Sequence, residues 1–225
     1  MGELGEKIPK CLIKYNGETL IQRTLRILIN CGITDITVVV GYLEKQIREH
    51  INSNFSDRYI NYLVNKDYIK KENIYSVWVA RDAFDNDILM MDADLIINTH
   101  IMKRITGYNQ RNFIVVRKET HEDEMIVSIK DRRVVSLSND QTPNNLDFDS
   151  KVESVGIIKF SKNAAKEFVE KIKHFVDSDE LNNYYEAAIN LFFKKNTFSI
   201  LELDENSVVE EIDTIDDIER LRTII

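Results

Sequence analysis

Apolar residues in this chain switch repeatedly between helical spacing and short continuous runs, and that alternation restricts the fold more than any other feature. Leu20, Ile21, Leu25, Leu28 and Ile29 recur at helical intervals and stop at Gly32, after which Ile36-Thr37-Val38-Val39-Val40 runs as a buried strand to Gly41-Tyr42. Leu43, Ile47 and Ile51 mark the next helix and Tyr59 to Val64 the next strand. A helix over 74–84, a strand from Ile88, a short helix over 100–106 and a strand over 113–116 continue the pattern. A helix between successive strands returns the chain to the same end of the sheet. The expected class is therefore α/β, a Rossmann-like, mostly parallel sheet with helices on both faces. Its order starts without a leading strand, although the first strand of a doubly wound sheet lies near the centre.

From Glu124 the texture changes. Met125 to Lys130 and Val134 to Ser138 flank Asp131-Arg132-Arg133, an antiparallel hairpin signature, and 139–150 is polar and turn-rich around Pro143. A strand over 155–160, helices over 162–175 and 180–193, a strand over 198–203 and a closing helix from Thr214 complete the chain. The 225 residues are expected to form one domain, with about 124–160 as an elaboration.

The stretch Ile88-Leu89-Met90-Met91-Asp92-Ala93-Asp94 carries the chemistry. Ligands gather at the carboxyl ends of strands in α/β sheets, and two acidic side chains there are costly unless a cation neutralises them. Magnesium is the expected cation and a nucleotide the expected cargo. A net charge of −8 argues against a large nucleic-acid footprint, so no nucleic-acid partner is expected. Cys11 and Cys31 lie in apolar patterns and read as reduced thiols, and His50, His100, His121 and His174 show no ligand spacing. No run approaches the roughly 18 apolar residues of a membrane span and the polar start does not read as a signal peptide, so no membrane partner and a cytoplasmic location are expected.

Several stretches together resemble the nucleotidyltransferase superfamily, and most its phosphocholine cytidylyltransferase-like branch. They are Ile8-Pro9-Lys10-Cys11-Leu12, Gly32 to Tyr42, Asn65-Lys66-Asp67-Tyr68 with Asn73-Ile74-Tyr75-Ser76, Asp92-Ala93-Asp94, and Glu211-Ile212-Asp213-Thr214-Ile215-Asp216-Asp217. They follow the family's order across almost the whole chain. The resemblance implies the sheet of the nucleotide-diphospho-sugar transferases with its first strand missing. The family's opening strand and glycine-rich loop are absent from this sequence. The expectation is a start codon placed too far downstream, with a degenerate copy as the alternative, and feeble turnover without the loop.

By resemblance, Asp94 and Asp213 jointly hold magnesium, with Asp92 behind them or toward the nucleotide. Read locally, without the resemblance, Asp213 is better taken as a cap for the helix from Thr214. Lys10, held by Pro9, meets the substrate phosphate and offsets charge during transfer, against the plain alternative of a solvated lysine. Gly41 and Tyr42 lie beside the nucleotide base, or form a turn. Asn65, Asp67 and Asn73 contact the nucleotide or acceptor, or serve turns and caps. Tyr184, Tyr185 and Glu186 stand where the choline enzymes place an aromatic and acidic cluster suited to a quaternary ammonium, and Tyr68, Tyr75 and Trp78 are further candidate walls, or core packing. Those enzymes tend to carry tryptophan in the cluster; this chain does not. Gly156 reads as a close approach or a bulge.

The function the resemblance implies is transfer of CMP from CTP to a small phosphorylated alcohol, phosphonate or sugar phosphate, with release of pyrophosphate. Such a step belongs to the making of cell-surface polysaccharide or lipid precursors. Two other classes stand beside it: a metal-dependent glycosyltransferase using Asp92-Ala93-Asp94 as an Asp-X-Asp motif, and a non-catalytic nucleotide-binding module.

Overall fold

A computed structural model describes residues 8–121, 124–139, 147–212, 217 and 221. They fall into two compact units, one drawn from Met1–Val64, Asp92–Gly107 and Glu205–Ile225 and the other from Asn65–Met91 and Tyr108–Asp204.

In the first unit, strands β1 (Lys14–Tyr15) and β2 (Glu18–Thr19) pair around Asn16 and Gly17, which hold φ of 47° and 86°. Positive φ at both central residues is what a two-residue hairpin turn needs, so this hairpin was readable from Asn-Gly. Helix α1 (Leu20–Asn30) follows directly. The Thr19 hydroxyl caps it by accepting from the Gln22 amide at 3.2 Å. At the other end Gly32 takes φ 86°, and the amides of Gly32 and Ile33 reach back to the Ile29 and Leu28 carbonyls. That double closure is a Schellman cap, and it accounts for the glycine. Strand β3 (Ile36–Val40), helix α2 (Glu44–Asn54) and strand β4 (Ile60–Val64) form a right-sized crossover, with β3 and β4 parallel and in register from Ile36↔Ile60 to Val40↔Val64.

The second unit opens with helix α3 (Asn73–Val79) and strand β5 (Ile88–Met91). The single helix expected over 74–84 is broken at Ala80: a 3₁₀ segment, Arg81–Asp85, follows. The tighter winding seats buried Phe84 against Phe168, their ring centroids 6.2 Å apart. The chain then contributes β6 (Leu95–Ile97) and α4 (Thr99–Gly107) to the first unit, the short strand β6 lying outside the periodicity that sequence reading detects.

Back in the second unit, β7 (Phe113–Arg117), β8 (Ile126–Lys130), β9 (Arg133–Ser138), β10 (Ser150–Phe160) and β11 (Ser199–Glu202) join β5 in one sheet, with α5 (Lys162–Asp177) and α6 (Tyr185–Phe193) after β10. β11 is parallel to β7; β10 is antiparallel to β5, β7 and β8, and β8 to β9. The α/β class holds, and the antiparallel elaboration is larger than its sequence signature, because β10 begins five residues before the expected 155. Gly156, at φ 70°, lies where the β10–β7 register shifts, so of its two readings the bulge is the one observed. Phe160 anchors the core of this unit: it stacks on Phe168 at 4.9 Å and meets Phe198 edge-on at 5.3 Å.

A last strand, β12 (Val209–Glu211), pairs antiparallel with β6 in the first unit. Ile13, Tyr15, Leu20, Ile96, Ile212 and Leu221 close a core there. The closing helix expected from Thr214 lies outside the described residues, save for residues 217 and 221. Among the described residues no helix is long and apolar enough to cross a membrane.

Candidate active site

Residues far apart in sequence meet in the first unit because β6 and β12 pair. Their register sets Glu211 opposite Leu95, and the Ile212 amide donates to the Asp94 carbonyl at 3.3 Å. Asp94 and Glu211 are thereby brought to one edge. Lys10 comes to the same place from the 3₁₀ turn Lys10–Leu12, which Pro9 starts and which closes through Leu12 N–H to Pro9 O at 2.8 Å. Its Nζ donates to Asp94 Oδ2 at 2.7 Å and to Glu211 Oε1 at 3.3 Å. The cluster is partly shielded, the Lys10 and Asp94 side chains being 29% and 22% exposed. One ammonium touching two carboxylates shows that the carboxylates converge on a point where a cation fits.

Glu211 was quoted from sequence only as part of a motif; its role beside Lys10 emerges from strand pairing, which periodicity does not reveal. Asp213 lies outside the described residues. Asp92 is half-buried at the end of the β5 run. Cys11, next to Lys10, is a free thiol whose pKa is pushed up to about 11 by burial, with Asp94 adding to the rise, so it stays neutral. Gly41 and Tyr42 follow β3 in a turn closed by Glu44 N–H to Gly41 O at 3.2 Å. The residue with left-handed backbone there is Leu43, at φ 49°, and Tyr42 is 38% exposed.

The remaining sequence candidates belong to the second unit. Asn65 is 2% exposed and spends both ends of its amide internally, donating to Ser76 Oγ at 3.0 Å and accepting from the Asp67 amide at 2.9 Å. That is an Asx turn, one of the local roles open to it. Asn73 starts α3, and its Oδ1 accepts from the Tyr185 amide at 2.8 Å, while the Glu72 amide donates to Leu181 O at 3.0 Å. These two bonds bind the start of α3 to the start of α6. They also explain why α6 begins at Tyr185 and not near 180: the preceding backbone is committed to tertiary bonds.

At this corner Tyr184 is 49% exposed, whereas Tyr185 and Glu186 are buried. Glu186 Oε2 has no hydrogen-bond partner among the described residues. Burial raises the Glu186 carboxyl above the usual carboxylate range, against its own backbone amide and Tyr185, which lower it. Lys71, which sequence reading passed over, lies over the Tyr75 ring at 3.8 Å and pairs with Asp67 at 3.2 Å. Its only sequence signal is the four-residue spacing from each partner. A second overlooked group is Glu153 on β10, 4% exposed, which accepts from the His121 amide at 2.9 Å and lies 2.8 Å from His121 Nδ1 and 3.4 Å from Arg117 Nε.

No family profile matches the chain. Individual proteins do. A choline-phosphate cytidylyltransferase from Streptococcus pneumoniae is 23% identical over 221 residues, covering 98% of this chain and 90% of that protein. A solved structure of the CTP:phosphocholine cytidylyltransferase from that species superposes with a TM-score of 0.78 over 100% of this chain and 92% of the other, at 22% identity. The chain is thus similar in sequence to choline-phosphate cytidylyltransferases, and it shares the fold of that solved structure. A 2-aminoethylphosphonate cytidylyltransferase from Lancefieldella rimae is 33% identical over 101 residues, 44% of this chain and 39% of that protein. The chain spans less than two thirds of the first relatives it matches, 17% and 55% of two of them.

Proposed function

We propose that this chain is a magnesium-dependent cytidylyltransferase that moves CMP from CTP to a small phosphorylated or phosphonylated acceptor. An acceptor phosphate oxygen attacks the α-phosphorus of CTP, the bond to the β-phosphate bridging oxygen breaks, and pyrophosphate leaves. Such a reaction asks the protein for position and charge neutralisation more than for covalent help. The observation that carries the reading is the Lys10 ammonium held between Asp94 and Glu211 at 2.7 and 3.3 Å.

Among the described residues no three His, Cys, Asp or Glu side chains gather into a cage. Magnesium does not need one, since it keeps several waters and takes one or two carboxylates plus substrate phosphate oxygens. Asp94 fits that demand, Asp213 is the second ligand proposed from sequence, and Glu211 shares the cation-binding point. The bound ion would supply neutralisation of phosphate charge. Lys10 would then turn from the carboxylates to the α-phosphate, and its place on the Pro9 turn keeps that reach short. Gly41 and Tyr42 would border the base. In the second unit Asn73, Tyr184, Tyr185 and Glu186 would receive the acceptor. The named relatives act on phosphocholine and on 2-aminoethylphosphonate, both of which end in a cation, and a buried carboxylate oxygen with no partner suits such an end.

The test is acceptor-dependent pyrophosphate release from CTP, with magnesium present or chelated, across phosphocholine, phosphoethanolamine, 2-aminoethylphosphonate and sugar phosphates. Formation of the CMP adduct together with pyrophosphate supports the reading. Release of a nucleoside diphosphate from a sugar nucleotide would replace it with glycosyl transfer, and CTP binding without product would replace it with a binding module.

A further inference from the structure

Two features of the second unit bear on which cation the acceptor carries. Tyr75 and Trp78 both lie on α3, the helix whose first residue binds the start of α6, and each aromatic ring already carries a cation of this chain. Lys71 Nζ is 3.8 Å from the centre of the Tyr75 ring and is tied by Asp67 at 3.2 Å. Arg81 Cζ is 4.7 Å from the centre of the Trp78 ring, and its Nη1 donates to the Trp78 carbonyl at 3.0 Å. A trimethylammonium group has no N–H and is recognised by ring faces within about 6 Å. Here the faces under Lys71 and Arg81 are taken.

The second feature is Glu186, 7% exposed, with Oε2 lacking a partner among the described residues. A buried acceptor atom regains its lost hydrogen bond only from a donor. A primary ammonium offers three N–H groups and a trimethylammonium none.

We propose that Lys71 is a specificity-determining residue, which by occupying the Tyr75 ring turns the acceptor site away from quaternary ammonium groups and toward primary amines that can donate to Glu186. The inference rests on the reading of the α3–α6 corner as the acceptor site. It makes aminoalkyl phosphates and aminoalkyl phosphonates the favoured acceptor class over phosphocholine. Asp67 has a part in this, since its carboxylate holds Lys71 over the ring and offsets the repulsion that a bare lysine would exert on an incoming ammonium.

The experiment uses the full chain and Lys71→Gln, which removes the charge and leaves a polar side chain one atom shorter. The first readout is the ratio of kcat/KM for phosphoethanolamine to that for phosphocholine. Wild type should favour the primary amine at least about tenfold, and Lys71→Gln should cut that ratio at least about fivefold, chiefly by lowering KM for phosphocholine. An unchanged ratio in the variant, or a wild type that prefers phosphocholine, overturns the inference while leaving CMP transfer standing. The second readout needs no turnover: tetramethylammonium chloride is titrated into both proteins at constant ionic strength while the Tyr75 ring resonances, assigned with Tyr75→Phe, are followed by NMR. Shifts in Lys71→Gln but not in wild type support the inference, and equal responses overturn it. If wild type transfers CMP to no acceptor, the proposed function fails, and the titration alone then decides the role of Lys71.

Discussion

Replacing Glu186 by glutamine removes a charge that the fold holds at a cost. The side chain is 7% exposed, one carboxylate oxygen has no partner among the described residues, and burial raises its pKa above the ordinary carboxylate value. A group whose folded pKa is raised favours the folded state fully below its unfolded pKa and loses that contribution as pH climbs through the folded pKa. Wild type is therefore handicapped at pH above the ordinary carboxylate range, where the unfolded chain has given up the proton that the folded state holds more tightly. An unsatisfied buried polar group costs about 1–3 kcal/mol, and glutamine retains the shape without the charge while leaving some amide unpaired. The expected net gain is about 1–2 kcal/mol at about pH 8, which in a chain of this size raises Tm by about 2–8 °C. The gain should vanish below about pH 3, where the carboxyl is protonated in both states. Thermal unfolding followed by circular dichroism across that range measures it. A Glu186→Gln protein that is less stable at pH 8, or that gains equally at both ends, would refute the argument. The same variant should raise KM for an amine-bearing acceptor, because the stability cost and the recognition of a cation come from one unpartnered oxygen.

Lys10→Ala and Asp94→Ala should each reduce CMP transfer by about a hundredfold to a thousandfold while leaving the circular dichroism spectrum intact, since both are partly exposed and outside the hydrophobic core. Retained rates in either variant would remove that residue from the site. Asp213→Ala should shift the magnesium dependence of the rate to higher concentration, as read from a metal titration. Phe160→Ala should cost about 3–5 kcal/mol in urea unfolding, because the ring is fully buried and stacked on Phe168 at 4.9 Å. His50 is held below its ordinary pKa by burial and by Lys14, and its Nε2 lies 2.8 Å from the Thr19 hydroxyl. A depressed histidine lets the unfolded chain bind the proton first, so stability should fall as pH drops below about 6.5, and His50→Gln should flatten that slope.

The alternation of apolar periods determined much of the fold by itself. Helices at 20–30, 44–54 and 99–107, strands at 36–40, 60–64 and 88–91, and the Asp131-Arg132 hairpin all follow from local spacing, because each depends on residues close along the chain. The ordered motifs likewise carried Lys10 and Asp94 to notice before any coordinates. What local spacing could not supply was pairing. β6 and β12 are three residues each and have no period of their own, and only their ladder brings Glu211 to the Lys10–Asp94 contact. The late start of α6 reflects the bond from the Tyr185 amide to distant Asn73, and the 3₁₀ turn after Ala80 seats Phe84 against Phe168; such tertiary contacts outweigh helical propensity. Sequence fixes which side chains are available and which short segments curl or extend. Tertiary structure decided which of them share a cation, which aromatic rings are already covered, and which carboxylate is left a hydrogen bond short, because those depend on distances that no spacing along the chain encodes.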